Sequence, residues 1–235
     1  MRSADHSEQE SSARYDAVVG DRALAAWEIA SIASSIVIAE WILAGMVGRS
    51  KFVVAIPIVL AFIFMIYSHR LRGESLRDLG FRFDNFLHGV KLLLLPMLVT
   101  AGVCLLVGWW AGAEIDFLRW HSGRPILGQL VLGFGWGLVQ QYVLQSFINR
   151  RAQIVWGPGW LSILLVALVF GGLHLPNPWL MVATLAGGVI WAAVYQQAPN
   201  IFALAVSHSI MTWVLVSTLP ASALNHLRIG FKYFG

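Results

Sequence analysis

The sequence predicts an all-α protein, a polytopic bundle of about seven transmembrane helices, with six to eight as the range. Of its 235 residues, 58% are hydrophobic and only 12% are charged, against about 45–50% and about 25% in soluble domains. The mean hydropathy is +0.70. Because a span needs about 20 apolar residues, the chain has room for such a bundle and its short loops. This composition excludes a disordered chain, a disulfide-rich mini-protein and an ordinary soluble enzyme.

A polar N-terminal tail, residues 1–22, is expected to precede one membrane-embedded helical domain, residues 23–235. The first four spans are predicted at 23–47, 52–67, 87–111 and 126–149, with a charged connector after the second. Arg150 and Arg151 should close the fourth span, since cations suit a helix C-terminus. Glu28, near the start of the first span, is expected to reach the lipid headgroups.

The last three spans are marked by an absence of charge and by turn residues. From Ala152 to Leu227 the sequence contains no Asp, Glu, Lys or Arg. Turn signals divide this stretch at Gly157-Pro158-Gly159, Pro176-Asn177-Pro178 and Pro199-Asn200. The predicted spans are therefore 160–175, 179–196 and 201–219.

The basic residues predict an orientation and argue against a nucleic-acid partner. The net charge is +4, but the charges are spread over short loops and form no basic face. Ten Lys and Arg fall on the side of the N-terminus and six on the other side. The positive-inside rule then predicts a cytoplasmic N-terminus, in a protein of the cell (plasma) membrane whose first partner is the lipid bilayer.

Polar residues inside the predicted spans are the candidates for function, because lipid does not tolerate them. Gln141, Gln145 and Asn149 are four residues apart and should form one stripe. A later span carries His174, and the last carries His208 with Thr212 one turn beyond it. Two interpretations stay open: interhelical hydrogen bonds that only hold the bundle together, or one shared cavity.

The order of these motifs resembles the CAAX protease and bacteriocin-processing family of intramembrane glutamate endopeptidases, which includes type II CAAX prenyl endopeptidases. That family carries Glu-Glu-x-x-x-Arg, then Phe-x-x-x-His, then His-x-x-x-Asn on successive helices. The corresponding segments here are Gln140-Gln141-Tyr142-Val143-Leu144-Gln145, Phe170-Gly171-Gly172-Leu173-His174 and His208-Ser209-Ile210-Met211-Thr212. The pair Gly187-Gly188 also fits, and the protease-like core spans residues 126–216.

The departures from the family pattern bear on the chemistry. The resemblance implies a glutamate that activates water against a peptide carbonyl, with the histidines and the asparagine as helpers. Here both motif-one glutamates and the arginine are glutamines, Gln140, Gln141 and Gln145, and the final asparagine is Thr212. A glutamine amide can orient water or donate to an oxyanion, but it cannot act as a base.

Three substitutes for the missing carboxylate can be considered. Glu40, in the first span, is the one carboxylate expected to reach a cavity in the middle of the membrane. A neutral histidine, His174 or His208, can also serve as the base near pH 7. A zinc site would need Glu40 as its third ligand beside the two histidines; metal and cofactor requirements stay open.

Two functions of different class follow. The first is an intramembrane endopeptidase of altered mechanism, acting on membrane-associated or prenylated peptides. The second is a catalytically inactive homologue that binds a lipid or a membrane-protein segment in the same cavity. A transporter is a more distant third, since the last three predicted spans lack a charged residue to couple an ion.

Overall fold

The computed structural model shows a helical bundle. It describes residues 2–46, 51–119 and 125–235, and the regular elements in these ranges are all helices. The N-terminal rod consists of α1 (Arg2–Val37), the π-helical turn π1 (Ile38–Leu43) and α2 (Ala44–Met46). The elements that follow are α3 (Lys51–Leu71), α4 (Phe86–Trp110), α5 (Ile126–Gln141), the π-helical segment π2 (Tyr142–Asn149), α6 (Arg150–Trp156), α7 (Trp160–Gly172), α8 (Pro178–Gln197), α9 (Ile201–Thr218) and α10 (Ala221–Leu224). The predicted fold class is confirmed.

Five helical stretches within the described ranges are long and apolar enough to cross a membrane: Val18–Met46, Phe52–Leu71, Phe86–Trp110, Pro178–Gln197 and Ile201–Thr218. The rod formed by α5, π2 and α6 is continuous but is divided by the π-helical segment. The remaining apolar helix, α7, has only 13 residues, or about 20 Å at 1.5 Å per residue. Since the hydrocarbon core is about 30 Å thick, α7 ends part of the way across it.

Two helix ends differ from the sequence expectations. The polar residues of the N-terminal tail are helical from Arg2 onward, as part of α1. The fourth predicted span does not close at Arg150 and Arg151, because α6 carries the helix on to Trp156. Arg151 is instead fully buried, so its charge is balanced by side chains from other helices rather than by the helix end.

Those partners form what we call the arginine cluster: Glu28, Ser68, His69, Arg72, Glu74, Arg150 and Arg151. Arg151 makes a bidentate contact with Glu74, at 3.0 and 2.9 Å, and its Nε lies 2.8 Å from a Glu28 oxygen. Glu28 is buried here rather than exposed to headgroups, because Arg151 offers a charge that compensates its desolvation. The cluster joins α1, α3, the connector after α3 and α6.

Small residues allow the helices to approach closely around the centre of the bundle, as is usual between membrane helices. A Cβ at Gly188 of α8 would lie 2.8 Å from the backbone of Ala167 in α7. A Cβ at Gly137 of α5 would lie 3.1 Å from the carbonyl oxygen of Ala205 in α9 and 3.2 Å from the Cβ of His208. These contacts bring α5, α7, α8 and α9 together.

Candidate functional site

A cavity of about 560 Å³ lies among α4, α5, α8, α9 and the turn after α7. Most of its wall is apolar, with residues such as Met97, Val107 and Leu215. Its polar wall includes five of the candidate residues: Glu40, Gln140, His174, His208 and Thr212. The sequence motifs of three separate spans thus meet at one cavity of the size that small-molecule sites have.

His174 does not lie within a helix, as the sequence predicted, but in the turn that follows α7. Its Nδ1–H donates to the carbonyl oxygen of Phe170 at 2.7 Å, and its ring lies edge-on to the Phe170 ring at 4.8 Å. Because a carbonyl oxygen only accepts, the ring proton sits on Nδ1 and the lone pair is on Nε2. A neutral His174 therefore has a basic nitrogen available for the cavity.

His208 is held by an aromatic wall. Its ring stacks on the indole of Trp191, with centroids 4.8 Å apart and planes inclined by 10°. The Trp191 indole N–H donates to the Ser207 hydroxyl at 3.1 Å. A Cβ at Gly187 would lie 2.7 Å from this indole, so the glycine makes room for it. Motif comparison missed Trp191, although the neighbouring Gly187-Gly188 pair was a signal for close packing.

The adjacent residues Gln140 and Gln141 face different surroundings. Gln140 lines the cavity. Gln141 is fully buried behind His208, with its Nε2 3.3 Å from the Nδ1 of His208. The two glutamines of motif one thus differ in their contacts: Gln140 lines the cavity and Gln141 contacts a histidine.

Gln145 and Asn149 continue from Gln141 along π2, and each is fully buried. The Asn149 amide donates to Gln145 Oε1 at 2.8 Å. The predicted stripe of Gln141, Gln145 and Asn149 lies along one side of the rod, and Gln145 contacts this stripe instead of the cavity. A π-helical segment is rare and often marks a functional site.

Thr212 lines the cavity, but its hydroxyl donates to the carbonyl oxygen of His208 one turn earlier, at 2.9 Å. The hydroxyl therefore has less to offer a ligand than the side-chain amide of the asparagine in the family motif. Its methyl group adds to the apolar wall.

Glu40 reaches the cavity from π1, at its rim. Lys232 donates to both oxygens of this carboxylate, at 3.0 and 3.4 Å. A Cβ at Gly230 would lie 2.6 Å from the Glu40 carbonyl oxygen, and the Gly230 N–H donates to the Leu175 carbonyl at 2.8 Å. The C-terminal segment thus closes one side of the cavity beside His174, a contact that no sequence motif indicated.

The sequence also left open whether the site binds a metal ion. Among the side chains that the structure describes, those of residues 18–46, 52–119 and 125–235, no three of His, Cys, Asp or Glu are grouped closely enough to hold one. Among the same residues, the Glu40 carboxylate makes no hydrogen bond to His174 or His208. It is bonded to Lys232 instead. The polar wall of the cavity thus includes two imidazoles, the Gln140 amide, the Arg228 side chain and a carboxylate that is ion-paired with Lys232.

The fold and the site together define a membrane-type helical bundle with two histidines beside one internal cavity. Comparison with protein families matches residues 93–214 to the family described as type II CAAX prenyl endopeptidase Rce1-like. The match covers more than half of the chain, and the protein belongs to this family of CAAX-protease-like intramembrane endopeptidases. Comparisons with curated proteins and with solved structures return no match.

The matched range runs from within α4 to α9, so it begins upstream of the 126–216 core predicted from the motifs. It includes Gln140, Gln141, Gln145, His174, His208 and Thr212. Glu40 and Lys232, at the rim of the cavity, lie outside it. The protein is accordingly an integral membrane protein whose family region supplies most of the cavity, while the flanking segments supply part of its rim.

Proposed function

We propose that this protein is an intramembrane endopeptidase that hydrolyses peptide bonds of membrane-associated or prenylated substrates, with His174 as the general base in place of the missing glutamate. The observation that supports this most is the hydrogen bond from His174 Nδ1–H to Phe170. It fixes the tautomer whose Nε2 can accept a proton, in a position on the cavity wall. General-base catalysis requires such a nitrogen within reach of the water that it activates.

The mechanism also requires hydrogen-bond donors that stabilise the oxyanion of the tetrahedral intermediate. In His208 the Nδ1 faces the amide nitrogen of Gln141, which leaves Nε2–H as a donor. The Gln140 amide, on the same cavity wall, supplies a second donor. Pre-positioned donors aimed at the developing negative charge are commonly the largest contribution to acyl-transfer catalysis.

The reaction then needs no ionised carboxylate. A water molecule transfers one proton to Nε2 of His174 while its oxygen bonds to the peptide carbonyl carbon. The carbonyl oxygen takes up the negative charge and is held by His208 and Gln140. When the tetrahedral intermediate collapses, the carbon–nitrogen bond breaks and His174 returns the proton to the leaving amine.

A second function is supported by a separate observation. Gln140 cannot ionise, and the carboxylate of Glu40 is held by Lys232. A cavity with this composition also suits a protein that binds a lipid or a membrane-protein segment without cleaving it. In that case the histidines contribute to ligand binding and stability only.

The test is cleavage of membrane-anchored CAAX-type and unmodified peptides by the purified protein in lipid nanodiscs. Under the proposed mechanism, His174→Ala should lower the rate by about 10²–10⁴-fold, the usual contribution of a general base, and His208→Ala should also be severely impaired. His88→Ala, at an exposed histidine on α4, is the matched control and should cleave normally. Glu40→Gln should cost less than His174→Ala.

Three outcomes decide between the candidates. Loss of cleavage in both histidine variants supports the endopeptidase with a histidine base. A natural protein that does not cleave, but binds the same peptides or lipids through the histidines, supports the inactive homologue. Glu40→Gln abolishing cleavage while His174→Ala retains it would assign the base to Glu40 instead.

We also infer that the N-terminus is cytoplasmic and that the protein resides in the plasma membrane. The ends of α3 and α6 that carry Arg70, Arg72, Arg150 and Arg151 lie on the same side as the start of the first span. Of the residues in the loop count, Arg49 and Arg124 lie outside the described ranges.

Labelling of single cysteines at positions 77 and 228 by an impermeant reagent tests the orientation: only position 228 should react in intact cells.

A further inference from the structure

A ladder of amide side chains extends behind His208, away from the cavity. Its members are Gln141, Gln145 and Asn149 along π2, Gln196 at the end of α8, and Ser162 at the start of α7. Gln141 contacts His208 at one end. At the other end, Gln196 and Ser162 contact the backbone of Gly159, in the turn between α6 and α7.

The far end of the ladder has a fixed direction, because a backbone N–H can only donate. The Gly159 N–H donates to Gln196 Oε1 at 2.8 Å. The amide nitrogen of Gln196 therefore faces the other way and donates to Asn149 Oδ1 and to Ser162 Oγ, each at 2.9 Å. Ser162 is able to accept, since its own proton goes to the Gly159 carbonyl oxygen.

Asn149 gives the ladder a second fixed point. Its Nδ2 donates to the carbonyl oxygen of Ala192 at 3.3 Å and to Gln145 Oε1 at 2.8 Å. Its Oδ1 accepts from Gln196 and from Gln153. Since both protons and both lone pairs of this amide are used, turning it over would break four hydrogen bonds. Because Asn149 offers Gln145 an N–H donor, Gln145 must turn its side-chain oxygen toward Asn149.

One link remains between Gln145 and Gln141. Gln145 Nε2 and Gln141 Oε1 are both buried, and neither has a hydrogen-bond partner among the described residues. One is a donor, the other is an acceptor, and they belong to side chains one helical turn apart. Buried polar atoms are almost always paired, so this complementary pair indicates a link through one buried water.

We propose that the ladder is a positioning device that sets the tautomer of His208 from the turn at Gly159. Its direction leaves the Gln141 amide nitrogen pointing at His208 Nδ1, 3.3 Å away. A ring nitrogen that accepts a hydrogen bond carries no proton, so the proton of His208 is kept on Nε2. This deepens the proposed function and rests on it for its catalytic meaning, because Nε2–H is the donor assigned to the oxyanion.

The ladder also gives a physical reason for two of the three glutamines where the family motif is charged. An ionised glutamate at position 141 would have no proton to donate to His208, and an arginine at position 145 would have no oxygen to accept from Asn149. Only a side chain that donates at one end and accepts at the other can continue such a ladder. Gln141 and Gln145 meet that requirement.

The experiment is nitrogen NMR of the full chain, labelled with ¹⁵N-histidine in lipid nanodiscs, with the His208 signals assigned by their loss in His208→Ala. The natural protein should show His208 with Nε2 protonated. Gln145→Leu interrupts the ladder in its middle, and Gln196→Leu interrupts it at the half-buried far end. In Gln145→Leu the ratio of the Nε2–H to the Nδ1–H form should fall about fivefold to tenfold, the effect of losing one hydrogen bond. In Gln196→Leu it should fall about twofold, because Asn149 keeps its hydrogen bonds to Ala192 and Gln153 and is only partly released.

Gln197→Leu is the matched control, since Gln197 is the exposed neighbour of Gln196 and bonds only within α8; its spectrum should be that of the natural protein. The proposal is overturned if natural His208 is protonated on Nδ1, or if Gln196→Leu folds and leaves the ratio unchanged. If Gln145→Leu does not fold, Gln196→Leu alone decides. Because the spectrum requires no turnover, an inactive protein with the expected tautomer would contradict the proposed function and not the ladder.

Discussion

At the residue scale, the two adjacent glutamines of motif one differ in what surrounds them. Gln140 lines the cavity, whereas Gln141 is fully buried and contacts His208. Neighbouring helical positions point about 100° apart, so only one of them can face the ligand directly. A carboxylate is therefore expected to act through different contacts at the two positions.

We predict that Gln140→Glu lowers the rate of peptide cleavage by about 10²–10³-fold, since a carboxylate cannot donate to the oxyanion and His174 already supplies the base. Gln141→Glu should also lower it, because a carboxylate cannot donate to His208 Nδ1. The measurement is initial cleavage rates in nanodiscs for both single variants and the natural protein. Cleavage that rises with Gln140→Glu would contradict its role as an oxyanion donor, and unchanged cleavage in Gln141→Glu would contradict the role of its contact with His208.

At the element scale, the site depends on close approach between α7 and α8. The turn with His174 follows α7, and Trp191, which supports His208, lies on α8. Gly188 faces the backbone of Ala167, where a side chain has no room. The distance between these two helices therefore sets the distance between the two walls of the cavity.

We predict that Gly188→Ala lowers the free energy of unfolding by about 1–3 kcal/mol, because the added methyl group pushes against backbone and forces the helices apart. Gly135→Ala, in α5, is the control: nothing lies within 4 Å of its Cβ position. There alanine should be neutral or stabilising by up to about 1 kcal/mol, from its better helix propensity. The measurement is the thermal unfolding of both variants in detergent. Equal changes in stability for Gly188→Ala and Gly135→Ala would contradict close packing at Gly188.

At the scale of the whole molecule, two polar contacts fasten the segments outside the family range to the bundle. The Glu40–Lys232 pair joins π1 to the C-terminal segment, and the arginine cluster joins α1 and α3 to α6. In the cluster, burial alone would raise the pKa of Glu74. Hydrogen bonds from His69, Arg151 and Arg150 outweigh that effect and hold the pKa well below its ordinary value of 4.5.

We predict that this pairing contributes stability at neutral pH that is lost in acid. Because the folded-state pKa of Glu74 is lower than the unfolded value, the contribution is complete above about pH 4.5 and declines as the pH falls below it. Glu74→Gln should cost about 3 kcal/mol at pH 7, since it leaves buried Arg151 with one carboxylate partner instead of two.

The measurement for this prediction is the midpoint of thermal unfolding from pH 7 to pH 3 for both proteins. The two curves should approach each other below about pH 4.5, because unfolding of the natural protein then takes up a proton at Glu74, whose folded-state pKa is lower. Asp84→Asn, at an exposed carboxylate of the same connector, is the control and should change stability much less at pH 7. Curves that stay parallel down to pH 3 would contradict the assigned role of Glu74.

The sequence by itself determined the membrane class, the all-α fold and the family, because these follow from hydropathy, turn residues and motif spacing along the chain. The stripe of Gln141, Gln145 and Asn149 was also predictable, since residues four apart share a helix face. Only the tertiary structure decided what each polar residue touches. Trp191 contacts His208, Lys232 binds Glu40 and Arg151 pairs with buried Glu28, and the two residues of each pair lie far apart in the sequence. The direction of the amide ladder likewise depends on Gln196, 47 positions from Asn149. Such partners are chosen by helix packing, and a local pattern carries no information about which distant side chain will complete a hydrogen bond or balance a charge.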